Sequence, residues 1–179
     1  IARMDILPTE TVFNEGSYDV DFRVESDSNT HMLHVDASTN KVGINTSAGD
    51  GLLHVQSATA GTVAADAEAD ELVLESSGNT GLSLLMPGSG LSSILFGNPG
   101  TNGQKDGAIR YYGETHSTTA NRRSMVFTTG NAEAMRLASD QDVLIGTDSA
   151  ASGAKLHVEV ATSNPNAGSP TDSSAVMIN

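Results

Sequence analysis

The chain has no cysteine and no tryptophan, and only 4% of its residues are aromatic. Without thiols it makes neither disulfides nor thiolate metal sites, so redox chemistry does not identify its compartment. Without the large rings that bury most area per residue, a conventional globular core has little to be built from. Positive charge is equally scarce: 9 Lys and Arg stand against 22 Asp and Glu, a formal net charge of −13. A phosphate-tracking surface needs clustered cations, so no nucleic acid partner is expected. The acidic surplus instead suits a soluble particle that resists non-specific association. No apolar run approaches the roughly 18 residues of a membrane helix, and the opening residues lack a signal-peptide pattern, so no membrane insertion is expected. G-x-S-x-G, P-loop and H-E-x-x-H signatures are missing too. Gly88-Ser89-Gly90 precedes a strand pattern, not a helix, and so makes no phosphate cradle. No cofactor and no enzymatic activity are expected.

What the chain does have is short alternating segments. Leu33-His34-Val35, Val42-Gly43-Ile44 and Leu53-His54-Val55 each show the period-2 pattern of a strand with one buried face. Turn-forming runs separate them. The pattern returns as Val143-Leu144-Ile145-Gly146-Thr147 and Leu156-His157-Val158, roughly a hundred residues later, which points to stacked repeats. Alternation predicts that Leu33, Val35, Val42, Ile44, Leu53 and Val55 face the interior, with Val143, Ile145, Leu156 and Val158 in the second copy. It places His34, His54 and His157 on the opposite face, toward solvent. The alternative for these histidines is a three-His metal site on the axis of a trimer.

Between the copies, strand patterns at residues 71–75, 81–86, 93–97, 108–112, 125–129 and 134–137 alternate with turn signals, as in an all-β meander. Residues 19–25 form an earlier strand. The expected divisions are a leading segment (1–21), a first shaft repeat (22–57), a linker or short helix (58–71), a meander knob (72–137), a second shaft repeat (138–158), a linker (159–175) and the start of a further module (176–179). Opening on Ile1, the chain reads as a piece of something longer. Ordering a residue costs about 1–2 kcal/mol of backbone entropy, and burying an aliphatic side chain returns about 1.5–3 kcal/mol. With so few large side chains, one chain alone is thin, and partner chains are expected to complete its interior.

Lys41 to Thr46 followed by Gly51-Leu52-Leu53-His54-Val55 resembles the VGIGT…LHV repeat of bacteriophage tail fibres and related receptor-binding proteins, and residues 142–147 with 155–158 are a second copy. Gly107-Ala108-Ile109-Arg110-Tyr111, Met125-Val126-Phe127-Thr128-Thr129 and Glu133-Ala134-Met135-Arg136-Leu137 are similar to the same family's G-x-I-x-Y, M-x-F-x-T and E-x-M-R-I module. The resemblance covers roughly residues 22–158. Asn45 stands where the repeat usually has Gly, as does Leu144 in the second copy. The resemblance implies an elongated, intertwined homotrimer of short strands on a virion: β-prism or triple-β-helix shafts plus a meander knob. Such fibres often carry a C-terminal self-cleaving chaperone, which has no counterpart in these residues. Other virion tail or fibre proteins and a host surface glycan or protein are the implied partners.

Arg122 and Arg123 form the densest basic spot, and with Lys105, Arg110, Tyr111 and Tyr112 they are candidate contacts for an anionic glycan. The competing expectation, which is favoured, pairs the two arginines with acidic groups of a neighbouring subunit. The loops at residues 98–107 and 113–124 are the expected outside contacts. The pairs Asp19/Asp21 and Asp140/Asp142 invite comparison with two-carboxylate glycan cleavage, but a solvated face is the default. The function expected is mechanical extension and host attachment by a phage tail fibre, or a spacer that binds nothing. A tailspike depolymerase and a cellular adhesin built from the same modules are the alternatives.

Overall fold

A computed structural model describes residues 4–6, 11–14, 16–47, 49–100, 105–149, 155–159 and 176–178. The fold is all-β, with no α-helix among the described residues. It divides into two compact units, residues 1–82 and 83–179. In the first, β1 (Met4–Ile6) pairs antiparallel with β2 (Thr11–Phe13). A five-stranded sheet follows in sequence order: β3 (Phe22–Val24), β4 (Leu33–Asp36), β5 (Lys41–Ile44), β6 (Leu53–Gln56) and β7 (Leu72–Glu75). β3, β4 and β5 are antiparallel, whereas β5, β6 and β7 run parallel. The second unit is a seven-stranded sheet of β8 (Leu91–Phe96), β9 (Gly107–Tyr112), β10 (Met125–Thr129), β11 (Ala132–Leu137), β12 (Val143–Ile145), β13 (Leu156–Val158) and β14 (Val176–Ile178). Only its β12–β13 pair is parallel.

The long-range repeat is visible in the pairing. Val42, Gly43 and Ile44 lie opposite Leu53, His54 and Val55, and Val143, Leu144 and Ile145 lie opposite Leu156, His157 and Val158. On the other side of each copy, His34 pairs with Gly43 and Arg136 with Leu144, so Arg136 holds the place of His34. The copies differ at one edge: β7 runs parallel to β6, whereas β14 runs antiparallel to β13. The strand of residues 72–75 thus belongs to the first sheet, and the second LHV copy continues the sheet of the meander.

Parallel neighbours usually need a long crossover, yet the described residues between β5 and β6, 45–47 and 49–52, include no helix. This connection folds back over its own sheet. A Cβ on Gly43 would stand 2.3 Å from the Thr46 carbonyl oxygen, so only glycine lets the backbone approach this closely. Gly43→Ala is therefore expected to lower stability by about 1–3 kcal/mol, the usual cost of overpacking, as measured by chemical denaturation. Where the repeat's other glycine is replaced, the turn survives because Asn45 adopts the left-handed conformation itself (φ 63°), as Gly146 does in the second copy (φ 75°). Its amide also donates a hydrogen bond to the Gln56 carbonyl at 2.6 Å.

Contrary to expectation, His34 and His54 do not face solvent within one chain. Arg23, His34, Gly43, His54 and Val73 are register partners across the first sheet. The crossover loop lies against Gly43, His54 and Val73, while Arg23 on the edge strand is exposed. His34 is 6% exposed and His54 1%. The opposite face carries Phe22, Val24, Leu33, Val35, Val42, Ile44, Leu53, Val55, Leu72 and Leu74, none of them buried. The second sheet repeats the arrangement: Val126, Arg136 and Leu144 are buried in one row, while Val143, Ile145, Leu156 and Val158 lie on the other face, unburied. Only three apolar residues are buried among those described, Ala108, Val126 and Leu144. The alternation was real; the loops, not water, cover its polar side.

One further expectation is corrected: residues 81–86 form no strand, and Leu82, Leu84 and Leu85 are exposed. Of the two alternatives for residues 58–71, a linker or a short helix, the backbone is turn and irregular, as in a linker. The expected linker at residues 159–175 lies outside the described residues except for Glu159.

Candidate functional site

Strand geometry decides how the candidate receptor contacts are displayed. Arg110, Tyr111 and Tyr112 are consecutive on β9, so Tyr111 emerges on the open apolar face beside its register partner Met125, and the other two emerge on the opposite face. Tyr112 packs edge-on against His116, with ring centroids 4.9 Å apart. Arg122 donates through Nε to the His116 carbonyl at 2.8 Å. Arg123, in the left-handed conformation, forms an ion pair with Glu114 of its own loop, which raises its pKa above the ordinary arginine value. Lys105 is exposed just ahead of β9. The six residues therefore do not converge on one surface, and Arg123 already has an acidic partner in its own chain.

The loop of residues 113–124 is held from below by a residue that the sequence did not single out. Arg136 on β11 is 4% exposed. Its Nε and Nη2 donate to the two oxygens of Glu133, each at 2.7 Å. Nη1 donates to the Ala120 carbonyl at 2.8 Å and Nη2 to Asn121 Oδ1 at 3.0 Å. Glu133 raises the Arg136 pKa, against the cost of burial. Ala120 and Asn121 belong to a 3-10 turn, Thr119–Asn121, so one guanidinium ties the loop to the sheet.

The other predicted loop begins with Asn98, whose amide donates to Asp106 Oδ2 at 2.6 Å; residues 101–104 lie outside the described residues. At its base a cavity of about 430 Å³ is lined by Phe96, Ile109, Phe127 and Thr128, among others.

Asp21 of the first carboxylate pair and both residues of the second are engaged locally. Asp21 accepts the Ala37 N–H at 3.0 Å and lies 3.3 Å from His34 Nε2. Asp142 forms an ion pair with Lys155 at 2.7 Å, and the Asp140 carbonyl accepts from the same lysine at 2.9 Å. Neither pair presents two carboxylates across a cleft.

Of the three histidines, His157 is half-buried, with Nδ1 3.1 Å from the Ser149 carbonyl. His54 is the most enclosed. The Asp50 N–H donates to its Nδ1 at 3.2 Å, and its Nε2 lies 3.0 Å from Glu75 Oε2. Glu75 is itself oriented: the Ala60 N–H donates to Oε1 and the Gln56 side-chain amide to Oε2. These two bonds, the backbone one first, hold its carboxyl below the usual carboxylate range. One imidazole and the carboxylates of Asp50 and Glu75 thus come together, with donor atoms all within 4.8 Å of one another. Sequence spacing carried half of this signal, since Asp50 lies four residues before His54. Glu75 became visible only through the β6–β7 register, which pairs Gln56 with Glu75.

No described helix is long and apolar enough to cross a membrane. No family model matches the chain, and none of the curated proteins matches it.

Proposed function

We propose that the chain is a structural segment of a bacteriophage tail fibre, acting as a homotrimer that extends from the virion and contributes to host attachment. One observation carries this reading: each sheet leaves its apolar face uncovered. Ten apolar residues of the first sheet are open or half-open in the single chain. Soluble monomers rarely leave so large a contiguous apolar patch. A partner chain laid against each face turns this exposed area into a shared core, and the VGIGT…LHV resemblance supplies the trimer and the virion.

Mechanical extension accounts for more of the residues than recognition does. The candidate receptor contacts point in different directions, and Arg123 is paired within its loop. Any host contact, with glycan or protein, is made through the loops of residues 98–107 and 113–124, and several copies on one particle multiply a weak affinity.

Light scattering of the purified chain tests the assembly. The expected mass is about three times the 18.4 kDa of one chain. A compact single chain that melts cooperatively would overturn the proposal. Peptides of this chain recovered from purified virions place it on the particle; recovery from cell surfaces alone would make it a cellular adhesin.

A further inference from the structure

We infer that Asp50, His54 and Glu75 form a binding site for one divalent transition-metal ion of the zinc class in each chain. The site is built from three separate pieces of the first unit: the β5–β6 crossover, β6 and β7. All three ligands come from one chain, so the inference stands independently of the fibre reading.

The first argument is geometric. His54 is 1% exposed, and its Nε2 has no hydrogen-bond partner although Glu75 Oε2 is only 3.0 Å away. At that distance a bond fails only if the oxygen lies well to the side of the ring's N–H axis. Two ligands of one cation are placed in just this way. Bonds of about 2.1 Å to each atom would span 3.0 Å at a ligand–metal–ligand angle of roughly 90°. The same contact that is poor as a hydrogen bond is sound as two adjacent metal ligands.

The surroundings meet the other requirements of a metal site. Glu75 is fixed by the Ala60 N–H and the Gln56 amide, the outer bonds that orient a ligating carboxylate. Asp50 is exposed and lies on the solvent side. A cavity of about 170 Å³, lined by Asp50 and Glu75 together with Ala60, Val63 and Val73, adjoins the two carboxylates and has room for water ligands. An imidazole with two carboxylates suits zinc better than calcium or magnesium, which take all-oxygen shells.

Binding shifts one proton without releasing it. In the metal-free ring Nδ1 accepts from the Asp50 N–H at 3.2 Å, so the ring proton sits on Nε2. An ion on Nε2 moves that proton to Nδ1, and the long bond to the Asp50 amide opens. The loop carrying Asp50 is then free to swing its carboxylate onto the metal. The ion would clip the crossover loop to β6 and β7.

The test uses the full chain, stripped with a chelator and titrated with Zn²⁺, Mn²⁺ and Ca²⁺. About one Zn²⁺ per chain is expected by elemental analysis, with a rise in Tm of roughly 5 °C or more at saturation. The ¹⁵N resonance of His54 Nε2 should shift on loading. Because His54→Gln removes a buried ring and risks the fold, Asp50→Asn is the informative variant. It alters an exposed residue and should weaken Zn²⁺ binding about tenfold or more. Substoichiometric Zn²⁺, an unmoved Tm, tighter binding of Ca²⁺ than Zn²⁺, or Asp50→Asn binding like the parent would each overturn the assignment.

Discussion

Val42→Asp is expected to abolish the proposed assembly: the variant should run at the mass of one chain or precipitate, where the parent is expected to run as a trimer. Val42 sits on β5 with Val35 and Leu53 as its register partners, and both partners are 37% exposed in the single chain. If this face remained in water, a carboxylate there would be solvated, and surface substitutions of that kind change stability by only about 0.5 kcal/mol. In a shared core the same carboxylate is buried without a partner, once per chain around the axis. An unpaired buried charge costs several kcal/mol, and three of them exceed the whole stability of a small domain. The two readings therefore differ by an order of magnitude. Light scattering combined with urea denaturation separates them, with Asn40→Asp, at an exposed position of the β4–β5 turn, as a control that adds the same charge away from the face. A Val42→Asp chain with the parent's mass and midpoint would remove the assembly argument.

The pairing of polar rows inside with apolar rows outside explains why the histidines recur in the repeat. A sheet with one apolar face normally turns it toward its own core. Here the crossover loop occupies the other face, and that face must bond with the loop's backbone. The three histidines do this differently: His54 Nδ1 accepts the Asp50 N–H, His34 Nε2 lies beside Asp21, and His157 Nδ1 lies beside the Ser149 carbonyl. Arg136 plays the same part in the second unit, between Glu133 and the backbone of Ala120. Each unit thereby packs its own loops on its polar side and leaves the apolar side uncovered within the single chain.

The all-β class, strands β3 to β14 and the two-copy repeat were legible from period-2 alternation and turn residues. Which face is covered was not. Alternation separates two faces but is silent on what lies against each, and that was decided by a loop whose fold-back depends on Gly43 meeting the Thr46 carbonyl. The run at residues 81–86 misled for a related reason: its apolar residues match a strand pattern, yet no neighbour pairs with them. The glycan candidates failed to converge because sequence proximity was taken for spatial proximity, and Tyr111 lies on the other face from both its neighbours. Asp50 and Glu75 could not be joined to His54 without the parallel register of β6 and β7. Arg136 lay within the motif that carried the resemblance, but nothing in the motif says that its guanidinium is buried.

Arg136→Ala should destabilise the second unit by about 1.5–3 kcal/mol, the usual worth of hydrogen bonds to a charged group, because Glu133 and Ala120 are exposed and stay open to water once the guanidinium is gone. Its loss leaves Glu133 without its cation and the Ala120 carbonyl and Asn121 Oδ1 without their donors. The loop then keeps only its own bonds, such as the Ser124 hydroxyl to the Asn121 carbonyl and the Arg123 N–H to the Tyr112 carbonyl. Arg136→Lys separates charge from geometry. A lysine keeps the attraction to Glu133, but its single ammonium cannot make the forked bond and also reach the 3-10 turn. It should recover only part of the loss. Urea denaturation gives the energies, and amide hydrogen exchange locates them: faster exchange at residues 113–124 in both variants, with β8 and β9 changed far less in Arg136→Lys than in Arg136→Ala. If Arg136→Ala melts within about 1 kcal/mol of the parent and exchange in the loop is unchanged, the guanidinium does not hold the loop, and the buried row of the second sheet must be held by Val126 and Leu144 alone.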